Sequence, residues 1–463
     1  MTVGRLVVPA IRWRAETGFS HEDGAIEAAL SAGVGGFIVF GGPATDVARL
    51  VARIRRDAGR PLIFGADLER GAGQQFLGLR EVPPPAALSS LGDLGAIEAA
   101  GLTTGIDARS VGIDWVYAPV ADLDLEPDNP IVQTRAFGAD PGRVGREVAA
   151  WIAGARAAGV LSCAKHFPGH GRTTRDSHDH LGQVGASRAD LEAADLIPFQ
   201  AAIEAGVDSV MTCHVSFPAL DPSGLPATLS RPMLDRLRQA GFRGLIVSDA
   251  LIMEAIKAGG ADPAVAAIEA GVDVLLYPPE PIATIRALEA QAGRVPSFAR
   301  IVAGALERLE AAMGRLGGVA RSTGSGLAVE PLADRIVSVA APDVRLRSPI
   351  DLIVADDDLD GAFPASSSDY LRAALVQLGV PCGPGGSRIL VAFAEPRASK
   401  GRGGFGLRTR AIVAEAADAE LAVLFTHRRL AAELPGGMPV LIGWHRQRLM
   451  QEAAARWLAE RVG

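Results

Sequence analysis

Five of the eight histidines fall between residues 166 and 214, and the densest part of that stretch reads Lys165-His166-Phe167-Pro168-Gly169-His170-Gly171-Arg172-Thr173-Thr174-Arg175-Asp176-Ser177-His178-Asp179-His180. Pro168, Gly169 and Gly171 exclude a regular helix here, so the titratable groups sit on a loop that follows a strand. Two chemistries compete for them. A metal site would use His166 and His170, four apart, or the alternating His178-Asp179-His180, but the Pro-Gly between the first pair breaks the helix that a His-x3-His zinc pair needs. Acid/base work would use Asp176-Ser177-His178. In an extended loop, side chains two apart fall on one side, so the carboxylate can accept the Nδ1–H, orient the ring and stabilise its cation. The acid/base reading is taken, with no metal and no cofactor. Ser248-Asp249 follows the apolar run 245–247. A carboxylate there is costly to bury without a use. Asp249 either caps the next helix or acts as a carboxylate nucleophile.

The elements that must position these groups are legible as alternation. Short apolar runs at 6–10, 36–42, 61–68, 114–123, 161–168, 209–217, 244–251 and 272–278 alternate with Ala/Leu/Arg-rich helical stretches such as 140–158 and 187–205. Runs of this kind suit strands buried on both faces of a parallel sheet. Eight repeats predict an α/β fold, a (β/α)8 TIM-like barrel over residues 1–315, with a doubly wound open sheet as the alternative. Asp67, Asp122, Lys165, His166, His214 and Asp249 all fall at or just past the C-terminal ends of their strands, the face where barrel enzymes carry out chemistry. Residues 316–348, with Gly and Ser clustered at 317–326, read as a linker. Residues 349–463 read as a smaller α/β sandwich domain, with strands at 351–355, 388–393, 421–425 and 438–443 and helices at 367–378, 408–417 and 446–461. The Gly/Arg-rich stretch 397–406 lacks Walker spacing and reads as a mobile surface loop.

Composition narrows the function. Of 463 residues, 48% are hydrophobic and 21% charged, the balance of an ordered globular protein, so wholesale disorder is excluded. Lys and Arg total 46 against 53 Asp and Glu, and a net charge of −7 offers no basic footprint for nucleic acid. Three cysteines are too few for a disulfide framework, and Cys163 and Cys213, in apolar runs, read as buried thiols. The N-terminus shows no apolar leader, and there is no apolar run long enough for a membrane span, so a cytoplasmic protein without membrane partners is expected.

Lys165-His166-Phe167-Pro168-Gly169-His170-Gly171, then Asp176-Ser177-His178, then Ser248-Asp249-Ala250-Leu251 together resemble glycoside hydrolase family 3, in its β-N-acetylhexosaminidase (NagZ-like) branch. The resemblance extends through Tyr117-Ala118-Pro119-Val120-Ala121-Asp122, Asn129-Pro130, Arg135-Ala136-Phe137-Gly138 and Met211-Thr212-Cys213-His214, in the family's order. It implies that Asp249 is the nucleophile, His178 the acid/base and Asp176 its polarising partner. Asp67, Arg135, Lys165 and His166 match positions that hydrogen-bond sugar hydroxyls, and His214, on the next strand end, is a further candidate for the substrate pocket. After Asp67 the family usually has Gln-Glu-Gly-Gly, whereas this chain has Leu68-Glu69-Arg70-Gly71, so the resemblance does not reach the pocket rim or the aglycone preference.

The expected function is therefore a retaining exo-β-N-acetylglucosaminidase acting on a carbohydrate such as a muropeptide or chitooligosaccharide. The alternatives are a phosphorylase, since a neutral His acid/base does not repel phosphate as a carboxylate would, a β-glucosidase, and a non-catalytic sugar-binding module.

Overall fold

Up to residue 276 the apolar runs become short parallel strands because both their faces are covered. They are β1 (Val7–Val8), β2 (Ala10–Arg12), β3 (Gly36–Phe40), β4 (Ile63–Ala66), β5 (Trp115–Val116), β6 (Leu161–Phe167), β7 (Gly182–Gln183), β8 (Ser209–Thr212), β9 (Val215–Ser216), β10 (Leu245–Val247) and β11 (Leu275–Leu276). Each of the eight runs named from the sequence contains a strand. The computed structural model describes residues 2–174, 181–259, 262–318, 326–358, 366–396 and 400–463.

Seven strands form one parallel sheet in the order β10-β8-β6-β5-β4-β3-β2, and β11 pairs with β1. A parallel bridge joins Val247 to Val274, next to β11. β1 and β2 are one run split at Pro9, which has no N–H to give the ladder. The result is an α/β fold with a curled parallel sheet. β6 is buried along its whole length, including Lys165 and His166.

Helices cover the sheet by a plain amphipathic logic. In the helix Ala44–Ala58, Val47, Leu50, Val51 and Ile54 are buried at helical spacing while arginines face out. The helix Pro141–Ala158 begins on Asp140, whose carboxylate accepts the Arg143 N–H at 2.6 Å, with Pro at the first turn. It ends on Gly159 at φ +78°, the left-handed conformation that favours glycine.

The strand starts are tied by arginine–aspartate pairs. Asp273 takes Arg238 at 2.6 Å and Arg308 at 2.7 Å. It also accepts the Ile246 N–H at 2.8 Å. Asp114 takes Arg55 at 2.5 Å and the Phe64 N–H at 3.2 Å. Burial raises the Asp114 carboxyl above its ordinary pKa, and Arg55 offsets part of that rise. These pairs lie at the opposite strand ends from the chemistry-bearing residues, where barrel folds concentrate stability.

The chain forms two compact units: Met1–Arg80 with Ile97–Glu126 and Gly138–Leu327, and Glu81–Ala96 with Pro127–Phe137 and Ala328–Gly463. The second holds a four-stranded parallel sheet, β12 (Ile350–Asp356), β13 (Ser387–Phe393), β14 (Leu421–Phe425) and β15 (Val440–Ile442), paired in that order. Leu390, Ala392, Ala422 and Leu424 pack with Val413 of the helix Leu407–Glu415 in its core. Phe393 stacks on Phe425 with ring centroids 5.0 Å apart. The stretch 316–348, expected as a linker, contains the helix Val329–Ser338.

Among the described residues no helix is long and apolar enough to cross a membrane.

Candidate active site

The C-terminal end of β6 organises the site. Its register against β8 shifts between Lys165 and Phe167. Such an irregularity re-aims side chains that a regular strand would point to opposite faces. Here two consecutive polar residues are both buried, and both are held by carboxylates.

Lys165 is 2% exposed. Its Nζ donates to Asp67 Oδ1 at 2.7 Å and pairs with Glu69 Oε1 at 2.7 Å. Asp67 follows β4 and keeps its side chain 29% exposed, whereas that of Glu69 is 3% exposed. One buried cation thus faces two carboxylates, of which only Asp67 is open to an incoming hydroxyl. Desolvation is tolerable because the charges are paired and hydrogen-bonded.

His166 is held by Asp122. The Asp122 Oδ1 accepts the His166 N–H at 3.1 Å and the His170 N–H at 2.7 Å. Its Oδ2 lies 2.7 Å from His166 Nδ1. Burial alone would raise the Asp122 carboxyl, but the His166 charge and hydrogen bond, with His170, outweigh it and hold the group below its ordinary value. An ionised carboxylate only accepts, so Nδ1 carries the proton and Nε2 is the nitrogen left for other work. His170, packed edge-on to His166 at 6.1 Å between centroids, is pushed down to a pKa of about 4 by burial. It is a neutral imidazole near pH 7. The charge of Asp249 acts on it, which ties Asp249 to the same cluster.

Asp249 lies two residues past β10, partly exposed. Its Oδ1 accepts the Ala250 N–H at 2.7 Å. Beneath it, Ser248 N–H donates to Val274 O at 3.0 Å and Ser248 Oγ accepts the Leu276 N–H at 2.9 Å, so the strand end is pinned to its neighbour. His214 is wholly buried. Its Nε2 donates to Ala250 O at 3.2 Å, and its Nδ1 lies 2.8 Å from Thr228 Oγ1. Through Nε2 it braces the turn that carries Asp249, and through Nδ1 it is tied to the 3-10 turn Ala227–Leu229.

The loop after β6 leaves the site on a fixed stem. Gly169 N–H donates to His166 O at 2.8 Å, and Glu126 N–H to Gly171 O at 3.1 Å. Arg172 Nε donates to Asp195 Oδ2 at 2.8 Å, on the π-helical turn Leu191–Asp195. Asp176 and His178, the expected acid/base pair, lie outside the described residues. Arg135 belongs to the second compact unit, on the 3-10 turn Gln133–Arg135. The cluster of the first unit therefore brings together Asp67, Lys165, His166 and Asp249, with His214 behind the last.

Glu69 and His170 were given no role from the sequence, and Asp122 was noted only for its place at a strand end. Glu69 was findable: two residues from Asp67 on extended chain, it falls on the same side. Of the stretch read as a mobile loop, residues 400–402 are pinned, because Lys400 and Arg402 are both spent on Asp358, each at 2.9 Å. Among the described residues no group of three or more His, Cys, Asp or Glu side chains is placed to hold a metal ion.

Paired carboxylates, a buried ammonium and an aspartate-oriented imidazole, gathered at strand ends of a curled parallel sheet, define an α/β enzyme built to grip polar groups of a substrate. Residues 4–309 match the model of the glycosyl hydrolase family 3 N-terminal domain. The chain belongs to glycosyl hydrolase family 3 and is a glycosidase. It is 37% identical over 254 residues to a protein of Tolumonas auensis named beta-hexosaminidase, a match covering 52% of this chain and 75% of the other. It is 34% identical over 259 residues to a Cellulomonas fimi protein named beta-N-acetylglucosaminidase/beta-glucosidase, covering 53% of this chain and 46% of that longer one. Its fold is similar to the solved structure of a family 3 beta-N-acetylglucosaminidase from a Paenibacillus species, with TM-score 0.83, 27% identity, and coverage of 100% of this chain and 96% of the other.

Proposed function

We propose that this chain is a retaining exo-β-N-acetylglucosaminidase that removes terminal β-linked GlcNAc from muropeptide or chitooligosaccharide substrates. The observation that carries the reading is the pair Lys165 and His166. Both are buried at one strand end and both are held by carboxylates, in a family 3 chain whose relatives carry hexosaminidase names.

In this reading a closed (β/α)8 barrel carries the site, and the second unit is an α/β sandwich domain. The Val247–Val274 bridge and the β11–β1 pairing support the closure. Asp249 attacks the anomeric carbon and the bond to the leaving oxygen breaks, giving a glycosyl-enzyme. His178, polarised by Asp176, gives its proton to that oxygen. It then takes a proton from the water that releases the sugar with retained configuration. Asp67, Lys165 and His166 bond the sugar hydroxyls. The positive charge that develops on the ring is stabilised by the Asp249 carboxylate. His214, the further candidate for the pocket, also braces the Asp249 turn through the Ala250 carbonyl. Wall-fragment recycling in the cytoplasm is the setting that fits this substrate.

The test is release of nitrophenol from β-GlcNAc and β-glucoside aryl substrates, each with and without phosphate, by the wild type and Asp249→Asn. Selective, phosphate-indifferent hydrolysis of the GlcNAc substrate, lost in the variant, is the expected result. Phosphate-dependent formation of a sugar 1-phosphate would replace the hydrolase by a phosphorylase. Equal turnover of the glucoside would remove the selectivity at the 2-position.

A further inference from the structure

His214 stands between β8 and β9 with both ring nitrogens engaged. The Ala250 carbonyl only accepts, so the proton of that contact is on Nε2. In the neutral ring Nδ1 is then the acceptor, and the Thr228 hydroxyl stands 2.8 Å from it. Thr228 has one hydroxyl proton and three neighbours that could take it: His214 Nδ1, Thr212 Oγ1 at 2.8 Å and Cys213 O at 3.2 Å. Thr212 can supply the proton of its own contact, and the Cys213 carbonyl is the most distant of the three, so the Thr228 proton goes to Nδ1. The bonds then run one way, from Thr212 to Thr228 to His214 to Ala250. Thr212, Thr228 and His214 are all fully buried, so no solvent competes for them.

The far end of this chain of bonds is the turn that carries Asp249. Ala250 O accepts from His214, and the N–H of the same peptide unit, on Leu251, donates to Leu276 O at 3.0 Å. That peptide is therefore held at both ends. The Ala250 N–H, one bond earlier in the chain, donates to Asp249 Oδ1 at 2.7 Å. Its direction, and the carboxylate oxygen it holds, follow from the peptide fixed beside it. Thr228 has a firm support of its own. Leu229 N–H closes its 3-10 turn on Pro226 O at 2.8 Å, and Ser230 caps the helix Arg231–Gln239 by accepting the Met233 N–H at 3.3 Å.

We propose that Thr228 is a positioning residue for Asp249. Its hydroxyl fixes which nitrogen of His214 carries the proton, and that proton holds the Ala250 carbonyl and so the aim of the carboxylate. The other tautomer would set a bare Nε2 against a carbonyl oxygen and loosen the turn. Every residue in this chain of bonds lies in the first compact unit. The inference rests on the reading of Asp249 as the nucleophile.

The experiment compares Thr228→Val, which keeps the shape and removes the hydroxyl, with Thr228→Ser, which keeps the hydroxyl. Both are read on the full chain as kcat/KM for nitrophenyl β-GlcNAc and as the inhibition constant of free GlcNAc. Thr228→Val should lower kcat/KM about tenfold, the scale of one lost buried hydrogen bond. It should leave GlcNAc inhibition unchanged, because Asp67, Lys165 and His166 are untouched. Thr228→Ser should recover most of the loss, and Thr228→Val should add nothing in a His214→Phe background. Weakened GlcNAc inhibition in step with the loss of kcat/KM, no recovery in Thr228→Ser, or a full effect persisting in His214→Phe would overturn the proposal. Asp249→Asn separates the two readings. If it is inactive while Thr228→Val matches the wild type, the inference alone fails. If it turns over normally, the nucleophile reading fails and the inference with it. Should Thr228→Val not fold, Thr228→Ala against Thr228→Ser makes the same comparison.

Discussion

Asp122 grips His166 twice, at the backbone N–H and at the ring Nδ1. A single carboxylate therefore sets the path of the strand end and the tautomer of the side chain it presents. Its remaining bond, to the His170 N–H, fixes where the chain turns away from β6. The three bonds explain why a fully buried acid stays charged.

His170 gives this cluster a stability signature in pH. Burial holds its folded-state pKa near 4, against 6.5 for the free side chain. Between those values the unfolded chain binds a proton that the folded one refuses, so unfolding takes up protons and stability falls as the pH drops from about 6.5 to 4. Asp122 acts lower, where its depressed pKa removes stability as it protonates. Urea unfolding across pH 4–7 should show this slope in the wild type. It should be shallower in His170→Gln by roughly one proton's worth.

Lys165 is the counter-ion of two carboxylates. Replacing it with Met leaves Glu69 buried without its cation, and the expected cost is about 3–5 kcal/mol in unfolding free energy. Adding Glu69→Gln to Lys165→Met removes the stranded charge and should recover much of that loss. No recovery would mean that the Glu69 pairing is not what the lysine stabilises.

Gly171 sits in the stem of the loop that leads to Asp176 and His178. A Cβ there would lie 1.8 Å from the Leu123 carbonyl oxygen, backbone against backbone. Gly171→Ala must shift the stem. We expect more than about a tenfold loss of kcat/KM on chitobiose and a smaller one on nitrophenyl β-GlcNAc, whose leaving group needs little protonation. Gly185→Ala, with open space at its Cβ, is the control and should match the wild type on both.

The strands were readable because a strand buried on both faces leaves an unbroken apolar run, and polar residues such as Lys165 and Asp249 stand out against it. Asp67, Lys165, His166 and Asp249 were readable for that reason. What stayed hidden was non-local. Glu69 looks like an ordinary loop acid until Lys165, 96 positions away, arrives beside it. The segments Glu81–Ala96 and Pro127–Phe137 lie inside the first 315 residues yet cluster with the second unit. No local pattern marks a segment as packing on chain that comes 200 residues later. Nor does any local pattern show that the His214 ring, at another strand end, bonds Thr228 and the Ala250 carbonyl.

The thiols make a built-in clock for opening. Cys163 and Cys213 are fully buried, and burial lifts the Cys163 thiol to a pKa of about 12 and Cys213 well above its usual value. Since only the thiolate is alkylated, the native sheet shields both from iodoacetamide twice over, by access and by charge. Cys382 is only partly covered. One thiol per chain should therefore label readily, and the other two at the rate at which the strands that hold them come apart. Mass spectrometry of the labelled chain would then report the lifetime of the catalytic sheet without any added probe.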